Sequence, residues 1–285
     1  MQITEITIPV GAEKPFRMLH MSDNHLSLAD ERDNERKNAL AVARANSFTG
    51  NHPEKLLENL ADLMDLAKKE NLTILHTGDM IDFVSESNLD YTKKAFEGAD
   101  VFAAAGNHEF SQYVGEAWED EEYKAQSFSH VKEAFPGDFW FQTRVVNGVK
   151  FIAVDNNYYY VTKEQLRLVK EATSDGMPAV MIMHNPLYSE DMYTKVTAGK
   201  KPEDPPYLFG CPETLLRTLD DHRYRQQKPD ETTVAFLELC NSLPNLKAVL
   251  SGHLHRYIAS QLDNGVPQYV AGAGYNAEAN LYTFI

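Results

Sequence analysis

The chain has 285 residues, 43% hydrophobic and 24% charged, the make-up of an ordinary globular protein able to bury a core without staples. Lys and Arg number 27 against 42 Asp and Glu, a net charge of −15 that makes long nucleic acids poor partners, because their binding rests on phosphate neutralisation. Two cysteines, Cys211 and Cys240, lie outside any CxxC or Cys/His cluster, which argues against a disulfide framework and for a reducing compartment.

Met1 to Phe16 carries Glu5, Glu13 and Lys14 with no apolar leader, and no stretch approaches 18 consecutive apolar residues; a cytoplasmic protein with no membrane contact is expected. Arg17 to Ser22 is a predicted strand entering a loop at Asp23. Two helical stretches follow, Ala29 to Asn46 and Pro53 to Glu70, the second with an apolar face of Leu56, Leu57, Leu60, Leu63 and Leu66. Leu72 to His76 and Val101 to Ala105 are predicted strands, and Glu116 to Ala134 is a predicted helical region. Phe139 to Val146 and Lys150 to Val154 form a hairpin around Asn147-Gly148, a strong turn signal. A helix at Lys163 to Ala172 precedes a strand at Ala179 to Met183. A second helix, Thr232 to Cys240, leads to a strand at Ala248 to Leu250, and two or three strands follow around Asp263-Asn264-Gly265. This alternation predicts α/β layering in one domain spanning 1–285. The proline- and tyrosine-rich stretch 187–231 is expected to be an irregular insertion over one edge of the sheet.

Five short polar clusters each follow an apolar strand-like run. They are Asp23-Asn24-His25, Gly78-Asp79-Met80-Ile81-Asp82, Gly106-Asn107-His108-Glu109, Met183-His184-Asn185-Pro186 and Gly252-His253-Leu254-His255. In open α/β sheets, loops at the carboxyl ends of strands converge on one crevice. Imidazole, carboxylate and amide oxygen, with no thiolate, suit a borderline divalent metal. A second Gly-Asn-His, at 50–52, follows polar residues and reads as loop. His20, His52, His76, His130 and His222 lie outside the clusters and read as structural or surface residues.

Taken in this order and spacing, the five clusters resemble the signature of the calcineurin-like metallophosphoesterases. That resemblance implies a four-layer α/β fold (α+β by some schemes), two packed mixed β-sheets flanked by helices. It also implies two divalent metal ions, with Mn, Fe or Zn expected. Asp23, His25 and His255 would ligate the first, Asp79 would bridge both, and Asn107, His184 and His253 would ligate the second. His108 resembles the family's catalytic histidine, protonating the leaving oxygen as a metal-bridging hydroxide attacks phosphorus. Asp82 would orient a histidine beside it.

The protein serine/threonine phosphatases of this family follow the second Asp of the Gly-Asp block with Arg-Gly. Here Phe83-Val84 follows Asp82, and Phe110-Ser111 follows Glu109. The expected activity is therefore hydrolysis of a small phosphomonoester or phosphodiester, nucleotides and cyclic nucleotides included. Protein-phosphatase-like activity and a non-catalytic metal-binding scaffold are the alternatives. Nothing in the motifs identifies the groups that grip the substrate. Lys200, Lys201, Arg217, Arg223 and Arg225, with Tyr188, Tyr193, Tyr207 and Phe209, could form a lid. The plainer reading is a solvated loop with aromatic anchors, and Tyr158-Tyr159-Tyr160 reads as packing at a strand end.

Overall fold

The computed structural model describes residues 1–114 and 120–285. Eleven strands form two mixed sheets among these residues. The first contains β1 (Gln2–Ile8), β2 (Phe16–Met21), β3 (Thr73–His76), β4 (Val101–Ala103) and β11 (Glu278–Phe284), in the order β1-β11-β2-β3-β4. The second contains β5 (Phe141–Val146), β6 (Val149–Val154), β7 (Ala179–Ile182), β8 (Leu246–Ser251), β9 (Ile258–Gln261) and β10 (Pro267–Val270), in the order β5-β6-β7-β8-β10-β9. Strands β2, β3 and β4 run parallel as neighbours, as do β7 and β8, so the loops that follow them leave from common edges.

Period-two alternation decides the layering. Val180 and Ile182 of β7 join Phe151, Ala153, Ala248 and Leu250 in a core shared with Met18, Leu75, Phe102 and Phe284 of the other sheet. The intervening Ala179 and Met181 face outward, against Val169, Phe236 and Cys240 of α5 (Lys163–Thr173) and α9 (Glu231–Ser242). The opposite face of the first sheet is covered by α2 (Lys55–Glu70), α3 (Glu86–Phe96) and α4 (Glu121–Lys132), through Leu60, Leu63, Phe96 and Val131. Helix, sheet, sheet and helix make four layers, as the resemblance implies.

Local chemistry accounts for several boundaries. The expected helix from Ala29 begins instead as α1 (Glu35–Thr49), because Asp30 accepts from the Arg32 backbone and side chain, and Asn34 caps the helix by accepting from Lys37 N. Gly50, left-handed at φ 61°, closes α1, so the second Gly-Asn-His is a helix terminus whose His52 is exposed. Asn147 and Gly148, both at positive φ, make the predicted hairpin turn. Strand β1 and helix α3 carry no counterpart in the sequence reading. Part of the predicted 116–134 helix, residues 116–119, lies outside the described residues.

Residues 187–231 are more regular than expected. They hold three short helices: α6 (Glu190–Thr197), α7 (Glu213–Leu216) and α8 (Asp221–Gln227). Met192, Val196, Leu208 and Leu216 pack with Ile258 of edge strand β9 and Val270 of β10. Cys211 and Cys240 are buried free thiols, pushed up to about 12 by burial. No helix among the described residues is long and apolar enough to cross a membrane.

Candidate metal centre

All five polar clusters meet at the carboxyl edges of the two sheets. Backbone bonds lace the loops together before any side chain is considered: Asp23 N donates to Gly78 O at 3.0 Å, His25 N to Asp79 O at 2.9 Å, and Gly252 N to His184 O at 3.0 Å. Asp23, His25, Asp79, His253 and His255 all sit in the left-handed region, at φ between 48° and 71°. Each such kink costs a non-glycine residue about 1–3 kcal/mol and persists only where its surroundings over-determine it. The strain turns successive side chains into one crevice. Glycine lets the loops touch: a Cβ on Gly78 would collide with the Gly106 backbone, and one on Gly106 with the Asp79 carboxylate.

Three donor groups result: His25, Asp82 and His108 make up one, and the other two share Asp79. Of those two, Asp23, His25, Asp79 and His255 form the first, and Asp79, His184 and His253 form the second. Asn107 joins the second through its amide oxygen, 3.2 Å from His184 Nε2. Asp79 Oδ2 lies 3.7 Å from His25 Nε2 and 3.2 Å from His184 Nε2, so one carboxylate faces both groups.

The protonation pattern tests whether cations fit. His184 Nδ1 lies 2.7 Å from the Thr77 carbonyl, which can only accept, so Nδ1 carries the hydrogen and Nε2 turns its lone pair toward Asp79 and Asn107. His25 Nδ1 faces an Asp82 carboxylate oxygen at 2.9 Å, so its Nε2 lone pair points at His255 Nε2, also 2.9 Å away. His253 Nδ1 lies 3.0 Å from His184 Nε2. Acceptors facing acceptors in a buried crevice are satisfied by a cation, and imidazole, carboxylate and amide donors suit a divalent one. Burial opposes ionisation of Asp23 and Asp79, yet the surrounding imidazoles hold both carboxyls below the usual carboxylate range. A proton and a cation compete for the His184 Nε2: against the opposition of burial, the Asp79 carboxylate pushes the His184 imidazole up to about 9, so Nε2 holds a proton wherever a cation does not take its place. The crevice thus attracts positive charge.

Behind this lies a supporting shell. Asp82, fully buried, contacts His25 Nδ1 at 2.9 Å and His108 Nδ1 at 3.2 Å, while its carbonyl accepts from His108 Nδ1 at 2.7 Å. Burial works against a charge at Asp82, but Arg44, His108 and His25 hold its carboxyl well below the usual range. Burial likewise opposes a charge on His108, and Asp79 and Asp82 outweigh it, pushing the imidazole up to about 10. Glu109 accepts from Asp79 N, Met80 N and Gly106 N at 2.6 to 2.8 Å, pinning the second loop to the third.

Several of these supports were not legible as such in the sequence. Arg44 comes from α1, without a motif, and reaches Asp82 with two nitrogens. Asn156 accepts from His184 N and Asn185 N, and Asn157 donates to Gly106 O; the available signal was that Asp155-Asn156-Asn157 also follows an apolar strand. Tyr159, expected to pack, places its hydroxyl 2.6 Å from His253 Nε2. His20 and His76 are buried in ordinary hydrogen bonds, to Thr77 and Tyr282 and to Asn24 respectively, in line with their structural reading.

A cavity of about 520 Å³ opens onto Asp79, Asn107, His108, His253 and His255, and its wall includes Arg44, Lys200, Tyr207, Arg223 and Arg256. Of the proposed lid aromatics, only Tyr207 lines it; Phe209 packs on Phe236 in the core, and Tyr188 and Tyr193 lie over the insertion's own cluster. Lys201, Arg217 and Arg225 are absent from the wall.

Two packed mixed sheets with His, Asp and Asn donors gathered at their carboxyl edges are the architecture of a metal-dependent phosphoester hydrolase. Residues 16–257 match the model of the calcineurin-like phosphoesterases, and the chain belongs to that family. Its fold is similar to that of a dimetal phosphatase from Danio rerio, with 12% identity and a TM-score of 0.50 over 94% of this chain and 88% of that one. It is also similar to the purple acid phosphatase PPD1 of yellow lupin, with 13% identity and a TM-score of 0.52 over 93% of this chain and 45% of that one. No curated protein matches the chain.

Proposed function

We propose that the chain hydrolyses a small phosphomonoester or phosphodiester, nucleotides and cyclic nucleotides included, at a dinuclear centre bridged by Asp79. The observation that carries this reading is the shared carboxylate: Asp79 belongs to two donor groups, as a bridge between two cations would. Asp23, His25, Asp79 and His255 would hold one divalent ion, and Asp79, Asn107, His184 and His253 the other. Such a pair of ions, of manganese, iron or zinc, supplies Lewis acidity toward phosphoryl oxygens and an acidified water.

The chain's own residues do the rest. His108 Nδ1 is tied to the Asp82 carbonyl, which leaves Nε2 as the nitrogen turned to the cavity. As imidazolium it donates a proton to the departing oxygen, a contribution of about 10²–10⁴ in rate. Asp82 stabilises that imidazolium and fixes the His25 tautomer, so it acts as a positioning residue. Arg44 holds Asp82 in place. Tyr159 orients His253 by accepting from its Nε2–H when Nδ1 is engaged, and such outer partners set ligand direction and basicity.

Purified protein loaded with Mn²⁺ is expected to turn over 4-nitrophenyl phosphate or its bis ester. Absence of turnover with each of Mn, Fe, Zn, Ni and Co would sink the proposal.

A further inference from the structure

We infer that the insertion builds a distal anion subsite, so that the preferred substrate is a phosphate ester carrying a second anionic group, phosphate or carboxylate, away from the scissile phosphorus. The inference rests on the hydrolase reading above and narrows its substrate class.

The cavity that opens onto the donor groups is also lined by Lys200, Arg223 and Arg256, although the chain as a whole carries −15. Lys200 follows α6, Arg223 lies in α8 and Arg256 follows the last histidine pair, so three separate stretches deliver cations to one cavity. Tyr207 neighbours two of them, Lys200 and Arg223. Its ring meets His253 edge-on at 5.6 Å, with the Arg223 guanidinium 5.4 Å and the Lys200 ammonium 6.0 Å from its centroid. Followed through Tyr207, the Lys200 and Arg223 charges are one aromatic ring removed from the ligand histidine His253, a placement that suits a second anion on the same substrate.

Lys200 and Arg256 contact backbone carbonyls. Lys200 Nζ lies 3.4 Å from Pro205 O, and Arg256 contacts the carbonyls of Lys195 and Val196 at 3.4 and 3.3 Å. Among the described residues neither forms an ion pair with a carboxylate; Asp204, near Lys200, accepts instead from the Lys201 backbone. Partial desolvation in the cavity wall and, after it, the Arg256 charge lower the Lys200 ammonium from its usual value, with Asp204 acting the other way. The arrangement is built rather than incidental. Tyr207 sits at φ 56°, a left-handed conformation held by its N–H donating to buried Gln227 at 2.8 Å. Repelling cations fixed around a substrate cavity are stabilised by an anion, and carboxylate and phosphate are the groups that Lys and Arg recognise.

The test compares kcat/KM of metal-loaded protein for matched esters with and without a distal anion: glucose 1,6-bisphosphate against glucose 1-phosphate, and 3-phosphoglycerate against glycerol 3-phosphate. A preference of roughly tenfold or more for at least one doubly anionic ester is expected, the scale of one charge-assisted hydrogen bond. Which pair shows it identifies phosphate or carboxylate as the distal group. Lys200→Ala and Arg256→Ala are each expected to reduce that ratio by roughly tenfold, and Arg256→Glu to abolish or invert it. Both side chains are exposed, so the variants are expected to fold, and circular dichroism with metal content checks this. Turnover of all four esters without preference, or a preference unchanged in the variants, overturns the subsite while leaving the hydrolase reading intact. A protein inactive on 4-nitrophenyl phosphate as well would overturn both.

Discussion

Arg44 grips both carboxylate oxygens of Asp82, at 2.6 and 2.9 Å, from a helix 38 positions earlier in the chain. This pair sits behind His25 and His108 and couples the first helix to the site. Arg44→Ala removes the charge that balances a buried carboxylate and the cover of Arg44 over Phe48, 4.6 Å from its ring. A loss of about 1–3 kcal/mol is expected, read as a lower urea midpoint at unchanged m-value. Arg44→Lys, which keeps the charge but not the fork, is expected to fall in between.

His108→Ala is expected to retain metal and lose the proton donor. Turnover of an ester with a poor leaving group should fall by about 10²–10⁴, and that of a nitrophenyl ester by much less. Elemental analysis alongside kinetics against leaving-group pKa separates the two effects. Loss of metal in this variant would overturn the role assigned to His108.

Glu109→Gln replaces an acceptor-only carboxylate by an amide with one oxygen. Three short backbone donors, from Asp79, Met80 and Gly106, then compete for it, and the new NH₂ faces N–H groups. About 1–3 kcal/mol of stability should be lost, and metal affinity should weaken because the Asp79 loop is no longer pinned. Thermal denaturation and chelator competition report the two consequences.

Tyr159→Phe is a milder probe, because it deletes one hydroxyl and keeps the ring. Metal affinity is expected to drop about 10- to 100-fold through the unsupported His253. Unaltered affinity in a chelator titration would show that the hydroxyl does not orient the ligand.

Chelation is expected to destabilise the fold. A ligand that binds only the native state at 100 times its Kd adds about 2.7 kcal/mol, so dialysis against a chelator should lower Tm, and Mn²⁺ should restore it. Asp79→Asn should blunt that response, because one residue serves two donor groups.

The polar clusters and the strands that launch them are legible from the order of residues alone. Strand periodicity is local, and Asp-x-His, Gly-Asp and Gly-Asn-His after an apolar run already state which donors leave which strand. The same order also marked the misleading copy at 50–52, whose glycine ends a helix instead of letting two loops touch. Hidden from it were the start of α1, set by Asp30 and Asn34 competing for backbone donors, and the short helices within 187–231.

The company those donors keep is set by the folded arrangement of the layers. That Asp79 faces two donor groups, that Glu109 staples two loops, and that Arg44 and Tyr159 reach Asp82 and His253 are contacts between positions far apart in sequence. Local pattern carries no trace of them, because a side chain's hydrogen-bond partner is chosen by the packing of whole layers, not by its neighbours along the chain. The cationic wall around Tyr207 has the same origin: three unremarkable basic residues become one surface only when the sheet edge and the segment over it are brought together.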